Sequence, residues 1–277
     1  MKKYLVIGNP IDHSLSPLIH NYWMKKHGLK DSVYEKRKVE EQDLEDIVNQ
    51  VRNDEIAGVN VTLPFKKRII PFLDSLDDTV THSKTVNTLL NTGSKTVLGL
   101  NTDGMGFERS FTMKPSIEYN GKNIFIIGAG GVTSSILFSF ILNANKIYIT
   151  NRTKKKAEQL RDEYIGITPG EKKIEVIDWG ENPKICDLII NTTSVGLKNN
   201  EKLGLDFNKY ENNKNVLFYD LIYNPKETNF LRDARLRGNK TMNGEMMFLN
   251  QALVSFERWT GISPQIDNEV IKLLDND

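Results

Sequence analysis

Short apolar runs recur along the chain and alternate with stretches in which apolar residues return every three or four positions. Residues 4–7 form an apolar run and residues 33–39 alternate apolar and polar; these predict strands, and a third strand is expected over 59–63, ended by Pro64. Between them Leu44, Ile47, Val48 and Val51 line one face of a predicted helix over 43–51. Ser16-Pro17 predicts a helix start, with serine as the cap and proline at the first helical position. Residues 88–100 have a hairpin pattern around Asn91-Thr92-Gly93, and a helix follows from about 104 to 113. A second series begins after Asn120-Gly121. Its strands are expected at 124–127, 146–150, 174–177, 187–190 and 216–219, and its helices at 132–143 and 153–164. A helical pattern over 244–259 carries polar residues suited to a site and returns the chain toward the first series. Alternating strands and helices predict an α/β protein with mostly parallel sheets covered by helices. A length of 277 residues suits two such domains, with the boundary near residue 105.

Composition narrows the partners. With 37 basic and 36 acidic residues the net charge is +1, so no global field draws the chain to nucleic acid or to a membrane, and any anion site must be local. Hydrophobic residues at 39% and charged residues at 26% fit an ordinary globular protein. Cys186 is the only cysteine and lies in an apolar run. It is expected to be a buried structural thiol, and it permits no intrachain disulfide, which fits a reducing compartment and predicts a cytoplasmic location. The N-terminal apolar run is too short for a signal peptide, and no apolar run is long enough to span a bilayer. None of the four histidines has a catalytic or metal-ligand setting, and no metal site is expected.

The strand over 124–127 runs into Gly128-Ala129-Gly130-Gly131 and then into a helix beginning at Val132. That is the context of a dinucleotide-binding turn, in which glycines admit the pyrophosphate and the helix N-terminus supplies amides and a favourable dipole. A plain tight turn is the alternative. The usual third glycine is Thr133, which predicts looser strand–helix packing. At the end of the next strand a carboxylate normally holds the ribose 2′-hydroxyl of NAD. Asn151, Arg152 and Thr153 stand there instead, followed by Lys154, Lys155 and Lys156. A carboxylate would repel a 2′-phosphate, whereas this cluster attracts one: Arg152 can grip it with its guanidinium fork and Lys156 can reach back one helical turn. The expected cofactor is therefore NADP(H). A solvated basic helix start is the other reading, although cations are disfavoured at a helix N-terminus when no anion sits there.

Nine blocks in order resemble the shikimate dehydrogenase family over nearly the whole chain. They are Gly8-Asn-Pro-Ile-Asp-His-Ser-Leu-Ser-Pro17, Asn60-Val-Thr-Leu-Pro-Phe-Lys66, Val86-Asn-Thr88, Asn101-Thr-Asp-Gly104, Gly128-Ala-Gly-Gly131, Asn151-Arg-Thr153, Asn191-Thr-Thr-Ser-Val-Gly196, Tyr223-Asn-Pro225 and the helix from Asn243-Gly244 to Gln251. The resemblance implies an N-terminal α/β substrate domain with a mostly parallel sheet over residues 1–104 plus 245–277. It implies a Rossmann-type NADP-binding domain over 105–244, with a cleft between the two. It implies the NADPH-dependent, reversible reduction of 3-dehydroshikimate to shikimate in the cytoplasm, by a monomer or homodimer.

By the same resemblance Ser14, Ser16 and Tyr223 bind the substrate carboxylate, while Thr62, Asn87 and Gln251 bind ring hydroxyls. Helix capping is the alternative for the two serines, and satisfied loop positions for the others. Lys66 and Asp103 carry the proton chemistry: hydride addition to a ketone leaves an oxygen that must be protonated, and an aspartate can orient a lysine that does so. Thr192, Ser194, Gly244 and Met247 join Gly128–Val132, Asn151, Arg152, Thr153 and Lys156 as cofactor contacts. Two positions depart from the family pattern: Met246 replaces a second glycine after Gly244, and Leu197 stands where methionine is common. A quinate/shikimate or aminoshikimate dehydrogenase, and an idle NADPH-binding regulator on the same scaffold, remain as alternatives.

Overall fold

The structure is a computed structural model describing residues 1–112, 118–164, 173–198 and 200–274. It divides into two compact units, Met1–Phe107 with Leu249–Asp277, and Glu108–Phe248.

The first unit opens with β1 (Lys2–Gly8), α1 (Ser16–Lys26), β2 (Ser32–Lys38), α2 (Leu44–Arg52) and β3 (Gly58–Val61). It continues through β4 (Ser75–Leu76), α3 (Asp78–Ser83), β5 (Thr88–Asn91) and β6 (Val97–Leu100) into α4 (Asp103–Thr112). The expected helix end at Met113 lies outside the described residues. The sheet order is β2-β1-β3-β5-β6-β4, and β1 runs parallel to both β2 and β3. β5 is antiparallel to β3 and to β6. The chain leaves β1 toward β2 and then returns to β3 on the other side. That makes the carboxyl ends of β1 and β3 a topological switch point, the place where open α/β sheets bind ligands. Because β5 runs the other way, the residue entering β5 and the residues leaving β6 sit at this same end.

The core follows from the strand and helix periods. Leu5, Ile7, Val59 and Val61 from β1 and β3 pack with Leu44, Ile47, Val48 and Val51 of α2, all nearly inaccessible. Each such side chain contributes about 1.5–3 kcal/mol relative to exposure. One expectation is corrected at α1: the helix begins at Ser16, so Leu15 is the N-cap and Ser16 occupies a helical position. The serine that reaches the freed amides is Ser14, whose Oγ accepts the Ser16 N–H at 3.4 Å.

The second unit contains β7 (Asn123–Ile127), α5 (Gly131–Ile141), β8 (Lys146–Thr150), α6 (Lys154–Glu163), β9 (Ile174–Val176), β10 (Leu188–Asn191), β11 (Leu217–Asp220), α7 (Asn229–Leu236) and β12 (Lys240–Met242). Its sheet order is β12-β11-β10-β7-β8-β9 and every pairing is parallel. This is the 3-2-1-4-5-6 order of a dinucleotide-binding fold, with its switch point between β7 and β10. One face of the sheet buries Phe125, Ile127, Ile189 and Phe218 with Phe230, Leu231 and Ala234 of α7. Cys186 belongs to this cluster, and burial pushes its thiol up to about 12.

The chain returns to the first unit within α8 (Glu245–Thr260) and ends in α9 (Asn268–Lys272). Trp259 of α8 donates its indole N–H to the Leu89 carbonyl at 2.9 Å, and Arg258 pairs with Asp77 at 2.6 Å. Among the described residues no helix is long and apolar enough to cross a membrane.

Candidate active site

In the first unit the turn after β3 is held from both sides. Thr62 donates its backbone N–H to the Ile7 carbonyl at 2.9 Å, and its own carbonyl accepts the Phe65 N–H at 2.9 Å. Phe65 is buried as the anchor, and the Lys66 carbonyl accepts the Val86 N–H at 2.8 Å. Lys66 is thereby fixed at its backbone, and its Nζ lies 2.6 Å from Asp103 Oδ2. The two side chains are 13% and 7% exposed, so water competes little for the pair.

Asp103 begins α4 just after β6. Its N–H donates to Asn101 Oδ1 at 2.9 Å, and Asn101 is pinned in turn by its Nδ2 donating to Thr85 Oγ1 at 2.8 Å. The second oxygen of Asp103 accepts Asn87 Nδ2 at 2.9 Å. Asn87, which enters β5, is 3% exposed. Its Nδ2 also donates to Thr102 Oγ1 at 2.9 Å, while its Oδ1 accepts the Thr102 N–H at 2.9 Å and the Thr88 hydroxyl at 3.0 Å. All four hydrogen-bonding capacities of the amide are thus met within the protein. In this arrangement Asn87 orients Asp103. Sequence reading passed over Thr102, Thr88, Ser255 and Asn60, which continue this buried polar network through contacts of 2.9–3.3 Å. Thr102 and Thr88 lie inside quoted motifs and Asn60 begins one; Ser255, on α8, gave no local signal.

Ser14 is half-buried and Ser16 is 7% exposed, both at the start of α1 beyond the carboxyl end of β1. Thr62 and Gln251 are half-buried in the same unit. Tyr223 lies in the second unit after β11, stacked on Phe248 with ring centroids 4.1 Å apart.

The second unit's switch point carries the glycine turn. Gly128 has φ +115°, and a Cβ there would lie 2.4 Å from Thr192 Oγ1, so only glycine fits. Gly130 is exposed with open space where a side chain would project, and Gly131 begins α5. Ala129 and Val132 are half-buried beside it. Thr133 is fully buried, its Oγ1 lies 2.7 Å from Thr192 Oγ1 and accepts the Gly130 N–H, so the turn is pinned at this position where looser packing was expected. Thr192 is 8% exposed and its hydroxyl is engaged inward, whereas Ser194 is exposed. Gly244 has a packing reason for being glycine: a Cβ would lie 2.0 Å from the Leu221 carbonyl oxygen. Met247 is buried and Met246 half-buried, while Leu197 is exposed.

Asn151 folds over the start of α6, its Nδ2 donating to the Thr153 carbonyl at 2.9 Å. Arg152, Thr153, Lys155 and Lys156 are exposed, and the first turn of α6 has no acidic residue. Lys154 pairs with Asp178 at 2.7 Å, which raises its pKa. Among the described residues no ion pair joins Arg152, Lys155 or Lys156. An uncompensated cationic cluster at a helix N-terminus fits a bound phosphate. The open glycine turn and this cluster together suit a dinucleotide bearing a 2′-phosphate.

Deeper in the unit Asp220 is fully buried. It accepts from the Ile222 N–H at 3.1 Å, Asn191 Nδ2 at 3.1 Å and the Thr228 hydroxyl at 2.6 Å; burial nonetheless raises its pKa to about 6. A surface depression of about 520 Å³ lined by Tyr148, Ile177, Pro183 and Lys184 contains none of the expected site residues. No cluster of metal-ligating side chains occurs among the described residues.

A parallel sheet with a dinucleotide turn and a cationic rim, together with an α/β unit holding a shielded lysine–aspartate pair, defines a nucleotide-dependent oxidoreductase. Residues 6–89 match the family model for the shikimate dehydrogenase substrate binding domain, and residues 112–227 match the model for shikimate / quinate 5-dehydrogenase. The NADP(+) shikimate dehydrogenase of Pelagibacter ubique is 44% identical over 275 residues, covering 99% of both chains. A crystal structure of a shikimate dehydrogenase in complex with NADP+ superposes with a TM-score of 0.90 at 33% identity, covering 99% of this chain and 95% of that one. The Listeria monocytogenes shikimate 5-dehydrogenase, solved with shikimate and NAD, superposes with a TM-score of 0.85 at 30% identity, covering 98% and 95%. The chain belongs to the shikimate dehydrogenase family.

Proposed function

We propose that this chain reduces 3-dehydroshikimate to shikimate with NADPH, reversibly, as a step toward the aromatic amino acids. The observation that carries the chemistry is the Lys66–Asp103 pair, 2.6 Å apart and shielded from water at the switch point of the first unit. NADPH supplies the hydride when bound. Lys66 Nζ gives its proton to the oxygen that hydride addition leaves negative, and in the oxidative direction takes it back. Asp103 orients that ammonium and accepts a ring hydroxyl, while Asn87 holds Asp103 in place. Ser14 and Ser16, at the N-terminus of α1, bind the carboxylate, a role the family pattern also gives Tyr223, and Thr62 and Gln251 bind hydroxyls; Asn87, expected to bind one too, has its amide occupied within the protein and acts through Asp103 instead. The first unit is the substrate domain and the second the NADP domain; the expected bounds, 1–104 with 245–277 and 105–244, lie three and four residues from the two junctions between the units.

In the second unit Gly128–Val132 and the start of α5 take the pyrophosphate, and Asn151, Arg152, Thr153 and Lys156 take the 2′-phosphate. Ser194, Gly244 and Met247 contact the nicotinamide half. The single buried thiol suits a reducing cytoplasm, where the protein works as a monomer or homodimer. The test is initial-rate kinetics with 3-dehydroshikimate and NADPH, and with shikimate or quinate and NADP+. Fast turnover of shikimate and weak turnover of quinate is expected. Equal use of quinate would assign the broader activity, and no turnover would leave only a nucleotide-binding role.

A further inference from the structure

The position of the missing third glycine carries more than a substitution. Thr133 occupies the first turn of α5, fully buried, and its Oγ1 accepts the Gly130 N–H at 3.2 Å. The same oxygen lies 2.7 Å from Thr192 Oγ1, in the loop after β10. Thr192 has one hydroxyl proton, and it goes to the Ile127 carbonyl at 2.9 Å. Thr133 must therefore donate to Thr192. The result is a one-directional relay from the Gly130 N–H through the two hydroxyls to the Ile127 carbonyl. It touches both ends of the glycine turn: Thr192 Oγ1 also fills the space against which Gly128 can carry no side chain.

We propose that Thr133 and Thr192 are positioning residues for the dinucleotide. This rests on the NADPH reading of the same turn. The relay takes the Gly130 N–H out of phosphate binding and locks the turn to the β10 loop. The first-turn amides of α5, which have no intrahelical acceptor, are thereby left aimed at the pyrophosphate. In the usual turn a third glycine achieves close strand–helix approach by having no side chain. Here a hydroxyl pair ties the same three segments together, so the side chain at 133 must be a hydroxyl and not merely small. Thr192 then serves the cofactor through the turn and not as a direct ligand.

The test is NADPH binding to the full chain, followed by nucleotide fluorescence, for wild type, T133V, T133S, T192V and the T133V/T192V double variant. Thr133→Val keeps the shape and removes the relay. Losing it should weaken NADPH binding about five- to tenfold, the scale of one buried hydrogen bond. T133S should bind within twofold of wild type, and the KM for shikimate should move much less than the NADPH Kd. The double variant should be no weaker than the weaker single one, because both break one relay. A T133V protein with a lowered melting temperature but an unchanged Kd would overturn the proposal, since that is what a purely structural hydroxyl does. Should T133V fail to fold, T192V breaks the relay from its other end and decides by the same criterion. If wild type itself did not bind NADPH, the cofactor reading and this inference would both fall; normal wild-type binding with unaltered variants removes the inference alone.

Discussion

His20 makes the stability of this protein depend on pH in a way that can be worked out from its surroundings. It lies on α1 with no exposed surface, stacked on Tyr34 at 4.3 Å and flanked by Trp23, Phe256 and Trp259 at 5.4–6.1 Å. Among the described residues neither ring nitrogen has a hydrogen-bond partner. Burial lowers its pKa from 6.5 to about 3. The folded state therefore holds the neutral ring, and above pH 6.5 the residue costs nothing by titration. Below pH 6.5 the unfolded chain takes up a proton that the folded chain refuses, so stability is lost as pH falls toward 3, at ~1.4 kcal/mol per pH unit. Between pH 7 and pH 5 the loss is about 2 kcal/mol. Asp220 acts with the opposite sign: its folded pKa of about 6 lies above the usual 3.8, so the cost of burying its charge is relieved as pH falls through that window. The wild-type profile alone mixes the two, and His20→Phe separates them by keeping a ring while removing the titration. Urea unfolding of both proteins from pH 5 to 8 should show the wild type losing about 2 kcal/mol relative to the variant between pH 7 and 5. A difference between the two that stayed constant over this range would refute a buried neutral His20.

Arg152→Ala should reduce kcat/KM for NADPH at least about tenfold, ~1.4 kcal/mol, while leaving NADH use little changed. Steady-state rates with both cofactors check this, and equal losses would remove Arg152 from the 2′-phosphate. Ser14→Ala and Ser16→Ala should mainly raise the KM for shikimate, because the carboxylate is remote from the reacting carbon. Helix content by circular dichroism should persist, given that the Ser14–Ser16 contact is a long 3.4 Å; loss of helix at unchanged KM would return both serines to capping.

The strongly patterned parts of the chain are legible in the sequence. The apolar residues of β1, β7 and β10 are buried as expected, β3 is buried but ends at Val61, two residues short of the expected Leu63, and α2 shows its apolar face at the helical period. Short elements were not legible. The six residues of α3 and the eight of α7 rest on single N-caps, Asp77 and Thr228, and β4 and β12 are two and three residues long, too short to show a period. Ser16 looked like a cap because Ser-Pro is a frequent helix start, but one extra helical residue moved the cap to Leu15. The motif blocks singled out Lys66 and Asp103, which meet across 37 positions of sequence. They could not reveal that Asn87 has every hydrogen bond occupied, nor that Thr133 is tied to Thr192. Those facts depend on which strands lie side by side. His20 escaped notice for the same reason, since its partners come from β2 and α8 as well as from its own helix.

The central claim is that Lys66, held by Asp103, moves the proton. Its most direct test is the steady-state kinetics of Lys66→Ala, Asp103→Asn and the double variant with shikimate and NADP+, with folding confirmed by circular dichroism. Lys66→Ala should lower kcat on the order of 10²-fold or more with a smaller change in KM. Asp103→Asn should damage both constants, and the double variant should be barely worse than the worse single one, because both residues serve one proton. A Lys66→Ala enzyme with near wild-type kcat would contradict the account and shift the proton to a water held by Asp103.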